Sequence, residues 1–291
     1  KELLHTVRSF YEDADNKEAL LFSIVSQDEK HPNLDFIDKK NIRYIKIDWQ
    51  ETYGSSWARS IAQRAFSQFD YYLQLDSHMF SEQGWDTKLI SVFNEAKLLY
   101  DKPVLTCYPA MYRIENEERI LGPVTTNQSS DIYGGKCEKG SWPTKVERPH
   151  LSACNYLQGA ALFSDRSFVD QVPYDPGVHF YHEELILTMR AESKGFTAVH
   201  ISTPLFFHFY YQDREKAGRI FSPLIPDEQH KNLDVIDDGD YPKRLLRGEV
   251  SGVYGLSIEE VKRFCDKYKY KIDIDKYRLQ QIRVSYGFLP V

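Results

Sequence analysis

The sequence predicts an α/β fold, a mixed and mostly parallel central sheet flanked by crossover helices. Helical and strand periodicities alternate through the first hundred residues. The apolar strand Tyr71–Leu75 stops abruptly at the polar run Asp76-Ser77-His78. A chain of 291 residues, 42% of them hydrophobic, is long enough for one large α/β domain or a domain with a small appendage.

Residues 2–13 carry helical spacing, Ala19–Ser26 reads as a buried strand, and Ile42–Ile47 reads as a second. Ser55 or Ser56 is placed to cap the next helix, whose apolar stripe is Trp57, Ala58, Ile61, Ala62, Ala65 and Phe66. Residues 85–98 are helical in pattern and Pro103–Cys107 is a short strand. From Tyr108 to Pro149 the periodicity dissolves into a segment rich in Gly, Ser, Thr and Pro, too long for an ordinary connection. Strand Tyr156–Phe163, helix His182–Lys194 stopped by Gly195, and strands Thr197–Ile201 and Leu205–Tyr210 follow. Beyond Pro223 the chain is polar and turn-rich until a helix at Ser257–Tyr268.

Composition excludes several classes. With 37 Lys and Arg against 43 Asp and Glu, the formal net charge of −6 provides no global drive toward nucleic acid or anionic lipid. No apolar run reaches the roughly 18 to 20 residues that cross a bilayer. Cys107, Cys137, Cys154 and Cys265 show neither Cys-x-x-Cys pairs nor zinc spacing, so reduced thiols in a cytoplasmic setting are expected.

The chemistry is expected where the strand Tyr71–Leu75 ends, because open α/β sheets bind ligands beyond the carboxyl ends of their strands. Asp76 and His78, two apart on an extended segment, can chelate one divalent cation, and His208 in Leu-Phe-Phe-His-Phe-Tyr-Tyr is the candidate third ligand. A satisfied core histidine is the rival reading of His208. Mixed oxygen and imidazole ligands favour Mn2+ over Mg2+. A second cluster, Tyr181-His182-Glu183-Glu184, makes His182, Glu183 and Glu184 catalytic candidates, with Glu183 or Glu184 accepting hydrogen bonds from a sugar; acidic residues favouring a helix N-terminus are the alternative. Ser77, Trp85, Asp86, Gln158 and Gly159 are candidate donor contacts, Gly159 by letting backbone approach closely. Arg59 could pair with phosphate or base, and Arg214 and Arg219 with a diphosphate, although solvated arginines are common.

In order, Y-G-S-S-W-A-R, L-Q-L-D-S-H-M-F with W-D, L-Q-G-A-A-L-F, H-E-E-L, P-L-F-F-H-F-Y and V-Y-G-L-S-I-E-E-V resemble glycosyltransferase family 60, the polypeptide N-acetylglucosaminyltransferases that modify hydroxyproline or threonine. The match runs from Tyr53 to Asp273. The chain is also distantly similar to the polypeptide N-acetylgalactosaminyltransferases, which share the D-S-H form. The resemblance implies a GT-A fold, UDP-GlcNAc as donor, a divalent metal held by Asp76, His78 and His208, Glu183 at the sugar, Arg59 on the nucleotide side, and retention of configuration. It implies a protein or glycan hydroxyl as acceptor, with nucleic acid less favoured; a catalytically inactive sugar-nucleotide or glycan-binding module is the alternative. The expected organisation is a catalytic domain over residues 1–222 and an extension over 223–291 packed on it. The resemblance also implies a first nucleotide-binding strand, ending in S-Y-R-D, expected upstream of residue 1.

Overall fold

The computed structural model describes residues 2–27, 31–48, 54–116, 118–122, 126–132, 136–137, 144–178, 183–210 and 241–272. The chain opens with helix α1 (Glu2–Glu12), then strands β1 (Phe22–Ser26) and β2 (Ile42–Lys46), which pair in parallel. Helix α2 (Ser55–Ala62), strands β3 (Tyr71–Leu75) and β4 (Met79–Ser81), and helix α3 (Trp85–Leu99) follow. Next come β5 (Pro103–Thr106), β6 (Ala110–Glu115), β7 (Glu118–Leu121), β8 (Ser129–Asp131), β9 (Lys136–Cys137), β10 (Thr144–Val146), β11 (Ser152–Ala153) and β12 (Ala161–Asp165). The remainder comprises α4 (Arg166–Gln171), α5 (Glu183–Ser193), β13 (Thr197–His200), β14 (Phe206–Phe209), α6 (Tyr241–Leu246), α7 (Ile258–Tyr268) and β15 (Lys271–Ile272).

The central sheet has the order β11-β13-β5-β12-β3. It is mixed, as expected, but its parallel content is lower than expected: β13 and β5 run parallel, while β11–β13, β12–β5 and β12–β3 are antiparallel. The causes are β12, which enters between β3 and β5 in the opposite direction, and the short edge strand β11, which runs against β13. Both faces of the sheet are buried, and side chains alternate between them with the period of two that a strand imposes. On β5, Leu105 joins Phe10, Trp85, Leu89, Phe93 and Phe163 beneath α1 and α3, whereas Val104 joins Leu162, Phe168, Leu187 and Phe196 beneath α4 and α5. A second sheet, β4-β14-β6-β7, lies beyond the end of β3. On the outer side of α5, Leu185 and Met189 pack with Leu246, Leu256, Val261 and Phe264, so α6 and α7 seat on that helix. Ser257 and Glu260 close a reciprocal capping box at the start of α7. No helix among the described residues is long and apolar enough to cross a membrane.

Two expected segments are corrected. The described residues between 108 and 149 carry strands where a loop was expected: Ala110–Glu115 alternates inward and outward side chains and pairs with both β7 and β14. The expected strand Tyr156–Phe163 begins only at Ala161, because the preceding amides are taken by side chains rather than by a neighbouring strand. Leu157 N–H donates to Thr188 Oγ1 (3.0 Å), Gln158 N–H to Thr106 Oγ1 (2.8 Å) and Gly159 N–H to Glu184 Oε1 (2.6 Å).

Candidate active site

Because β12 is antiparallel to β3 with Ala161 opposite Leu75, the residues leaving β3 and those entering β12 meet at one edge of the sheet. Asp76 and Gly159 therefore face a common space. The turn 76–78 leads straight into β4, which pairs with β14 so that Met79 lies opposite His208. Two strands paired in this register bring His78 and His208 together, their ring centroids 4.5 Å apart. His208 Nε2 lies 3.2 Å from Asp76 Oδ2. One ligand atom from each of Asp76, His78 and His208 falls within 4.8 Å of the others.

This donor set fits a divalent cation. A carboxylate and two imidazoles, all at least partly buried, converge from different segments, and Nδ1 of His208 is buried without a hydrogen-bond partner. Burial, opposed by the neighbouring Asp76 carboxylate and reinforced by His208, pushes the His78 imidazole down to about 4. It is therefore neutral at physiological pH, the form that ligates metal. Burial favours the neutral acid at Asp76, but the His208 hydrogen bond and the positive charge of Arg59 outweigh it and hold the carboxyl well below the usual range.

Arg59 organises the other half of the site. Its Nη2 donates to Asp76 Oδ1 (2.9 Å) and to the Gly159 carbonyl (3.2 Å), and its Nη1 pairs with Glu183. Ser55 and Ser56 both donate to Glu183 Oε2 at 2.7 Å. The serines expected to cap α2 thus lie inside its first turn, and Gly54, at φ 92°, takes the cap position without a side-chain bond. Glu183 sits at the first turns of both α2 and α5, where helix dipoles favour a negative charge. With three donors already on a carboxylate that has about four acceptor positions, its structural work is to fix Arg59. Gly159 matters for the same reason: a Cβ there would lie 2.6 Å from Arg59 Nη1. The open space expected for a ligand at Gly159 is filled by the guanidinium. Glu184 accepts from Gly159 N–H and from Tyr156 Oη (3.1 Å), and burial pushes its carboxyl up to about 7.

The other sequence candidates fare differently. Gln158 is buried and anchored through its backbone. Ser77 is exposed, with its carbonyl accepting from Thr6 Oγ1. Trp85 and Asp86 are not brought to the site. At the start of α3 the indole donates to the Phe10 carbonyl (2.9 Å), and Asp86 accepts from the amides of Asp15 (2.8 Å) and Asn16 (2.9 Å). A buried indole N–H and a buried carboxylate need such partners, and α1 and the turn after it supply them. His182, Arg214 and Arg219 lie outside the described residues.

The sequence reading overlooked Thr6, whose hydroxyl holds the 76–79 turn, and a ring pair beside His208. Tyr108 and Tyr210 stack with centroids 5.1 Å apart and planes 3° from parallel, and Tyr210 lies 4.2 Å from His208. The run of aromatics around His208 was the visible signal for Tyr210, but the distant sequence position of Tyr108 gave none.

The fold is that of GT-A-type glycosyltransferases. It matches GalNAc-T7, in a crystal structure with UDP, GalNAc and Mn2+, at a TM-score of 0.55 and 14% identity, covering 93% of this chain and 53% of that one. The chain thus spans about half the length of the GalNAc-T7 chain. Residues 5–237 match the family described as Glycosyltransferase (GlcNAc), and the chain belongs to it. Staphylococcus aureus TarS 1–349 is less similar, at a TM-score of 0.45 and 13% identity, covering 98% of this chain and 86% of that one. Its complex with UDP-GlcNAc matches at 0.45 and 12% over the same shares. No curated protein matches the chain.

Proposed function

We propose that this glycosyltransferase is metal-dependent, belongs to glycosyltransferase family 60, and moves N-acetylglucosamine from UDP-GlcNAc to a hydroxyl, with retention of configuration. The observation that carries the reading is the convergence of Asp76, His78 and His208 at the carboxyl end of β3. These residues would hold the cation, and Mn2+ is favoured over Mg2+ because two of the three donors are imidazoles. Held by these residues, a divalent ion would supply positive charge to offset that of the diphosphate leaving group. Arg59, locked by Glu183, Asp76 and Gly159 O, adds a fixed positive charge beside the same carboxylate.

No side chain is assigned as nucleophile. The acceptor hydroxyl approaches on the face of the departing diphosphate, whose oxygen takes its proton. The acceptor class is a protein hydroxyproline or threonine or another hydroxylated glycan or polypeptide, and the net charge of −6 disfavours nucleic acid. The free thiols Cys107, Cys154 and Cys265 support a cytoplasmic setting.

The test is a panel of UDP-sugars assayed for hydrolysis and transfer with and without Mn2+, with products identified by mass spectrometry. UDP-GlcNAc turnover that requires metal and falls by roughly a hundredfold or more in folded Asp76→Asn supports the reading. Absence of turnover with every donor and metal, or full activity in Asp76→Asn, overturns it.

A further inference from the structure

A cation lies two ring contacts from His208. Lys145, the middle residue of β10, is exposed, yet its Nζ lies 3.7 Å from the centroid of Tyr108 and 5.4 Å from that of Tyr210. Tyr210 in turn packs on His208, and Tyr210 Oη is pinned by donating to the Pro109 carbonyl at 3.0 Å. The rings of His78, His208, Tyr210 and Tyr108 therefore form a continuous array that leads from the ligand cluster to the ammonium.

The charge on Lys145 has no acidic partner among the described residues, and burial against the rings is what pulls its pKa below the usual lysine range. Neighbouring Arg148 differs, since it pairs with the buried Asp131 carboxylate. A ring face holds an ammonium but leaves its charge uncompensated. An incoming anion would thus gain a charge-assisted contact without displacing an existing ion pair, and the rings have already restricted the flexible four-carbon stem.

We infer that Lys145, seated on the Tyr108–Tyr210 pair, is a binding residue for the donor diphosphate, completing an anion subsite beside the Asp76-His78-His208 cluster. The inference rests on the nucleotide-sugar reading and deepens it. Arg59 is committed to two carboxylates, so its charge is largely spent within the protein; that of Lys145 is not.

The experiment compares Lys145→Ala and Lys145→Gln with the unaltered protein by calorimetric titration with UDP and with uridine, in Mn2+, alongside steady-state kinetics. Lys145 is exposed, so both variants are expected to fold. The expected result is that Kd for UDP rises about tenfold in both variants while Kd for uridine stays the same, and that Lys145→Arg recovers most of the loss. Unchanged UDP affinity in Lys145→Ala overturns the inference. So does a rise in acceptor KM alone, which would assign the ammonium to an anionic acceptor. Failure of the unaltered protein to bind UDP would instead bring down the nucleotide-sugar reading, and this inference with it.

Discussion

Removing one hydroxyl from α1 should loosen the turn that carries the proposed metal ligands without touching either of them. Thr6 Oγ1 accepts from Met79 N–H at 3.0 Å and donates to the Ser77 carbonyl at 2.9 Å, so one buried side chain spans the turn that carries Asp76 and His78. Thr6→Val keeps the shape and deletes both bonds. Met79 is buried and its N–H would have no replacement, which costs about 1–3 kcal/mol; Ser77 is exposed and its carbonyl recovers water, so only about 0.5–1 kcal/mol is lost there. A total of about 1.5–4 kcal/mol lowers Tm by roughly 3–16 °C for a large domain. Residues that orient metal ligands without touching the ion are typically worth about 10–100-fold in affinity, so Mn2+ binding should weaken by that order. Electron paramagnetic resonance titration of Mn2+, paired with thermal melts, measures both effects, and Thr6→Ser should restore both. A Thr6→Val protein that loses stability yet binds Mn2+ as tightly as the unaltered chain would refute the reasoning, leaving Thr6 as an anchor for the helix alone.

Other expectations follow from the arginine cluster. Glu183→Ala removes the acceptor of Arg59 Nη1 and of the Ser55 and Ser56 hydroxyls and should cost about 3–5 kcal/mol, read by chemical denaturation; a loss under 1 kcal/mol would contradict the pairing. Gly159→Ala places a methyl 2.6 Å from Arg59 Nη1, so it should cost about 1–3 kcal/mol and reduce turnover, and a crystal structure should show the guanidinium displaced. Glu184 titrates higher in the folded chain than in the unfolded one, so between pH 4.5 and about 7 the folded state holds more protons and stability falls as pH rises. Glu184→Gln should remove that component of the pH dependence, and denaturation curves of the two proteins that run parallel across this window would rule it out.

What was legible in the sequence was local. β3 and the polar turn after it could be read because an apolar strand ending in Asp76 is a contiguous signal, and the helix expected at Ser257–Tyr268 is α7, whose start is set by residues within one turn of each other. His208 was found because a histidine among aromatics in a late strand is conspicuous. What failed was anything set by register or by helix phase. Trp85 and Asp86 follow the ligand turn closely in sequence, yet Gly84 in the left-handed region starts α3 with both side chains facing α1. Ser55 and Ser56 looked like caps because nothing nearby announces the Glu183 carboxylate more than a hundred positions later. Sequence separation likewise hid the pairing of Tyr108 with Tyr210 and the reach of Thr6 to Ser77 and Met79.

The span between Asp76 and His208 also bears on when the proposed metal site can form. Their 132-residue separation means that a chain emerging from the ribosome holds the first two ligands long before the third exists, and long-range closure of this kind is slow to form. Until β14 docks beside β4, the Asp76-Ser77-His78 turn has only part of the proposed coordination set, so a half-made chain would not hold the proposed ion. Competence for transfer would therefore arrive late and all at once, coupling the onset of catalysis to the completion of folding.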